Sequence, residues 1–241
     1  MKKVSKSNEL LWLFGIIFVA LGVAICSKAD LGVSMIAAPA FVISDAISSV
    51  FSFFTVGVTE YILQGVILII LCVVVRRFHW KYLLAFAVAV IYGYTLNLFI
   101  WMLSGIEFNE VWLRWVMLIV GDIITAFGVA CFFRTYMPLQ VYELFVAEVA
   151  DRFGFTIAKT KFWFDMTLLA LSILLSVVLF TDIKTFDWST IYYSSFHSIG
   201  LGTLVTTAIN SPLIALMGKV IDKIFLPSPL FPKFENLLKH K

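Results

Sequence analysis

The chain has 241 residues, of which 61% are hydrophobic and only 14% charged, with a formal net charge of +3. At a mean hydropathy of +1.00 it has too little polar surface for a water-soluble fold, which carries about a quarter charged residues. The small positive excess lies at the ends and in short loops, which argues against a nucleic-acid partner.

About twenty apolar residues are needed to cross the hydrocarbon core of a bilayer. The first such segment, Leu10–Cys26, follows Lys2, Lys3 and Lys6, a layout shared with secretory signals. Next comes Ser34–Phe53, apolar on one side but carrying Ser44, Asp45, Ser48, Ser49 and Ser52. Val56–Val75, Tyr82–Leu103 and Val111–Phe133 are full-length spans. Pro138–Phe153 is short and holds Glu143, Glu148, Asp151 and Arg152. It is a poor spanning helix, because each central charge costs about 2.5–3.5 kcal/mol to insert. Phe162–Phe180 and Trp188–Ile209 complete six spans. After Asn210-Ser211-Pro212, a helical segment with Lys219, Asp222 and Lys223 is expected to leave the membrane for a proline-containing tail.

One stretch occurs twice. Gly15, Ile17, Ala20, Gly22, Val23 and Ala24 recur as Gly121, Ile123, Ala126, Gly128, Val129 and Ala130. Each copy ends at a cation (Lys28, Arg134), meets a helix breaker (Gly32, Pro138) and then starts a new helix. Glycines seven apart on an apolar helix let another helix approach closely, as helices do in lipid. The repeat argues against cleavage of the first segment, since half of a structural repeat would then be lost. Because Ser34–Phe53 and Pro138–Phe153 occupy equivalent places, both are expected to be half-helices that enter without crossing.

Charge placement agrees. With six spans and a cytoplasmic N-terminus, all of the 18 Lys and Arg except Lys28, Arg114 and Lys184 fall on the cytoplasmic side, as the positive-inside bias requires. Three crossings per repeat place the second copy upside down. The expected fold is an all-α polytopic membrane protein, with six spanning helices plus two re-entrant half-helices in two inverted repeats. The repeats are 1–104 and 105–218, followed by a cytoplasmic tail, 219–241.

The run ADLGVSMIAAPAFVIS, Ala29 to Ser44, behind GVAICSK, resembles the bacterial membrane family typified by YczE and YitT. That resemblance extends over about the first 220 residues. It implies a small-residue helix followed by an L-G-x-S-P-like turn, in two copies, and a bacterial cytoplasmic membrane, but no particular activity. Met35 stands where the pattern has proline, and the second copy reads MPLQVYELF.

No hydrolase, zinc-protease, prenyl-diphosphate or phosphate-loop motif is present. His79, His197 and His240 are too scattered for a metal site, and Cys26, Cys72 and Cys131 lack ligand or disulfide spacing. No catalytic role and no cofactor is expected. The informative residues are polar ones inside spans, where burial is expensive and marks pathways. Asp122 lies well inside Val111–Phe133. Glu60 and Gln64 share a helix face, and their repeat equivalents are Lys161 and Asp165. Glu60 and Lys161 lie near span ends, where snorkelling to the interface is an equally good reading.

These residues give a candidate solute site of Ser34, Gln64, Asn97, Pro138, Gln140, Glu143 and His197, with Asp122, Asp165 and Glu60 as proton- or ion-coupling groups. Ser34 is the expected N-cap of the first half-helix, and Pro138 belongs to the first turn of the second. The two N-termini are expected to approach the midplane from opposite faces. The function expected is secondary transport of a small polar or amphipathic solute, by a protein whose other partner is the bilayer itself and which can form a homo-oligomer. A non-transporting accessory, chaperone or sensor for a partner protein is the alternative.

Overall fold

The computed structural model describes residues 4–180, 192, 195, 197–228 and 230. Among the described residues eight helices carry the fold: α1 (Asn8–Ala29), α2 (Ala38–Ser48), α3 (Val56–Val75), α4 (Lys81–Met102), α5 (Val111–Phe132), α6 (Val141–Phe153), α7 (Ile157–Leu179) and α8 (Leu201–Ile224). All but α2 and α6 are long and apolar enough to cross a membrane. Two short strands, β1 (Val4–Ser7) and β2 (Phe225–Ser228), pair in parallel and bring the start of α1 beside the end of α8. Both ends of the described chain therefore lie on one face, as an even number of crossings demands.

Local sequence explains most boundaries. The Ser7 hydroxyl caps α1 by accepting from the N–H groups of Glu9 and Leu10. Asp30, in the left-handed region at φ 52°, ends it, and Gly32 at φ +106° turns the chain back inward. Residues Leu31 and Val33 are buried on that return path. Thr156 caps α7 through Lys159 N–H.

Several boundaries differ from the sequence-based expectation: α7 begins at Ile157 and not Phe162, and α2 ends at Ser48 and not Phe53. The first half-helix begins at Ala38, not Ser34, with Ala37 as N-cap. The Ser34 carbonyl, not its hydroxyl, organises the entry by accepting from Ala37 and Ala38 N–H. The second begins at Val141 behind Gln140, so Pro138 precedes the helix and is not part of its first turn. The last span is α8, Leu201–Ile224, rather than Trp188–Ile209, and it runs straight through Pro212. A spanning helix tolerates that proline because neighbouring groups re-satisfy the freed carbonyl. Lys219, Asp222 and Lys223 accordingly belong to this helix and do not leave it. Residues 188–191, 193, 194 and 196 of the expected span lie outside the described residues.

The two halves are related by reciprocal contacts. α1 and α5 run antiparallel, with Gly15 against Gly128 and Gly22 against Gly121. In the repeat, Gly15 corresponds to Gly121 and Gly22 to Gly128, so each glycine meets the equivalent of the other. An antiparallel crossing of the two equivalent helices about a local two-fold produces that pattern. A Cβ on Gly22 would stand 2.5 Å from the Gly121 carbonyl oxygen, so this approach excludes any side chain. The same symmetry pairs α2 with α7 and α3 with α6, and α1 with α4 and α5 with α8. It breaks in two places: α4 packs on α6 with no comparable α8–α2 packing, and the second break lies between α3–α4 and α7–α8. α3 packs along α4, whereas α7 makes no comparable contact with α8 and leaves Trp163, Leu174 and Val178 exposed.

Candidate functional site

α2 and α6 end near opposite faces and point their N-termini inward. The far end of α2 reaches the face opposite the chain termini, where Asp45 meets Ser198. The same face holds the Lys28–Ser104 and Arg114–Asp30 contacts. The far end of α6 reaches the terminal face, where Glu148 and Asp151 stand with Arg77, His79 and Lys81 around a vestibule of about 510 Å³. Between the two N-termini lies a cavity of about 30 Å³. Ser34, Ala37, Glu60, Tyr92, Thr125, Gln140, Tyr142, Glu143, Lys161 and Asn210 line it, so every helix or its entry segment contributes. A third cavity, of about 520 Å³ between α3, α6 and α7, is walled almost wholly by apolar side chains such as Leu63, Phe145 and Trp163. Its chemistry is that of a lipid-facing groove.

Four of the expected residues, Ser34, Glu60, Gln140 and Glu143, meet at the central cavity. Glu60 is 1% exposed and Lys161 8%, so neither snorkels. Lys161 donates to Asp165 at 3.3 Å across one turn of α7 and lies within electrostatic range of Glu143 and Asp122. Asp122 and Gln64 sit one layer out. Both are almost wholly buried, and Asp122 Oδ2 and both polar atoms of Gln64 lack hydrogen-bond partners among the described residues. Three carboxylates, on Asp122, Glu143 and Asp165, thus lie within range of one ammonium, on Lys161, and Glu60 lines the cavity that Glu143 and Lys161 share. Each uncompensated buried charge costs several kcal/mol, so the cluster demands protons or a cation.

Three expected residues are elsewhere. Asn97 accepts from Gly57 N–H at 2.9 Å and donates to Thr55 Oγ1 at 2.8 Å, capping the start of α3. Pro138 walls the vestibule, and its carbonyl accepts from Trp12 Nε1 at 2.9 Å. It lines the vestibule and not the central cavity. His197 precedes α8 instead of sitting on it, with φ 43° and its ring stacked on Phe180. Residues missing from the expected site are Lys161, Tyr92, Tyr142, Thr125 and Asn210. The opposite charges of Glu60 and Lys161 at equivalent repeat positions were the signal that could have found the first. Tyr142 sits at a helix start and reads like an ordinary interfacial tyrosine, whereas the place of Tyr92 at the middle of α4 was a usable signal.

Fold and site together define a polytopic membrane protein with a polar, enclosed centre between two half-helix N-termini. The chain belongs to a family of unknown function, DUF6198, whose model matches residues 6–219. No curated protein and no solved structure matches it.

Proposed function

We propose that the protein is a secondary transporter that moves a small polar or amphipathic solute across a bacterial cytoplasmic membrane, coupled to protons or another cation. The observation that carries this reading is the meeting of two half-helix N-termini with buried carboxylates in an enclosed cavity between antiparallel halves. Transporters built from inverted repeats use broken helices in this way, with positive helix ends facing an anionic group of the solute. The carboxylates supply the complementary charge, which suits a zwitterion or a weak acid or base. The terminal face carries Arg76, Arg77, Arg134, Arg152 and Lys159, against Lys28 and Arg114 opposite, so the positive-inside bias puts both ends in the cytoplasm. The likeness of Ala29–Ser44 to the YczE and YitT type fits a bacterial source.

The test is a thermal-shift screen of small polar solutes on the purified full chain, followed by gradient-driven uptake in proteoliposomes. A solute should raise the melting temperature by mass action, and Glu143→Gln should abolish that shift. Uptake and its pH dependence left intact by both Asp122→Asn and Asp165→Asn would remove the coupling role. A protein stabilised only by a partner protein would be an accessory instead.

A further inference from the structure

The central cavity has room for about one particle of water size, given its volume of about 30 Å³. In this state it excludes an organic solute, and also a magnesium-like ion, which keeps several of its waters. Its electrostatics call for positive charge. Glu60, Asp122, Glu143 and Asp165 are each at most 7% exposed, and Lys161 is the cation among them. The two half-helix N-termini add about half a charge each, which leaves about two negative charges unmatched.

The lining atoms specify the ligand further. Glu143 Oε2 and Asn210 Oδ1 lack a hydrogen-bond partner among the described residues, and the Tyr142 hydroxyl stands beside the Glu60 carboxyl. Each of these residues is more than nine-tenths buried and lines the cavity. They come from α3, α6 and α8, and the ionised carboxyl and amide oxygens accept, whereas the Tyr142 hydroxyl can also donate. A proton on one carboxyl supplies a single donor. A hard cation takes several oxygens at once.

We infer that this cavity binds one sodium-sized monovalent cation, held by Glu60, Tyr142, Glu143 and Asn210. Lys161 is shared with Asp165, so at this cavity Glu60 and Glu143 set against the half charges of the two helix ends leave about one charge to match. The role of that ion as the coupling ion rests on the transport reading. The site itself does not.

The experiment is thermal unfolding of the full chain in detergent at constant pH and ionic strength, as sodium chloride replaces choline chloride. Potassium and calcium chloride form separate arms. A saturable, sodium-dependent rise in melting temperature is expected. Glu60→Gln and Asn210→Leu should each raise the half-saturating sodium concentration about tenfold or more. Glu107→Gln, in an exposed loop, should leave it unchanged. Equal melting temperatures in sodium and choline would overturn the inference, as would a stronger response to calcium or a sodium response preserved in both site variants. If the variants do not fold, binding of radioactive sodium to the unaltered protein, displaced by unlabelled sodium but not choline, decides the matter. Proton-driven uptake without a sodium effect would sink the ion site and spare the transport reading. Sodium binding without uptake of any solute would do the reverse.

Discussion

Lys161 has its ammonium 3.3 Å from Asp165, with both side chains only 10% exposed. Removing one partner of such a pair strands the other charge in a dry site, at about 3–5 kcal/mol, whereas removing both together is often close to neutral. Lys161→Met should therefore destabilise the protein by about that amount in detergent unfolding, and adding Asp165→Leu should restore most of it. A double variant no more stable than the single one would contradict the pairing. The residue scale is also where the sequence was hardest to read. Glu60 and Lys161 lie one turn inside their helices, and depth counted from a helix end suggested snorkelling. Their burial depends on α2 and α6 wrapping around those ends, which no local pattern encodes. Asn97 is a similar case. An amide on an apolar helix looks the same whether it binds solute or caps a neighbour. What decides is that Thr55 and Gly57 of α3 lie opposite it.

Helices were more legible than residues, because a span of about twenty apolar residues is a long signal. Val56–Val75 was read to the residue, and α1, α4 and α5 to within three residues at either end. Errors collected where backbone conformation decides. Ser34 has the composition of an N-cap, yet the chain spends another turn before α2 begins. Pro212 reads as a stop, yet α8 passes through it. The glycines of α1 and α5 were legible as a repeat, but only the fold shows that they face one another. Gly22→Leu should consequently prevent α1 and α5 from closing, giving little folded protein by thermal unfolding or size-exclusion chromatography. Gly105→Ala, where a new Cβ meets nothing within 4 Å, should change stability by no more than about 0.5 kcal/mol. Equal tolerance at the two sites would mean that the close antiparallel crossing is wrong.

For the molecule as a whole, the transport reading takes the antiparallel halves, the central cavity and the vestibule on the terminal face as one state of a protein with two-fold-related entrances. On the opposite face the equivalent segment is tied down. Val33 N–H donates to the Ser198 carbonyl and Gly202 N–H to the Leu31 carbonyl, and Asp30 binds Arg114 and Ser195. Exchange of open and closed entrances between the faces is what alternating access requires. A scaffold or sensor built on the same fold has no need of it. The direct measurement uses Ser34→Cys in a chain whose Cys26, Cys72 and Cys131 have been replaced, challenged with a membrane-impermeant thiol reagent from each side of sealed vesicles. The account predicts modification of this central position from both faces, slowed by the bound solute or ion. Modification from neither face, or from one face under every condition tried, would contradict it.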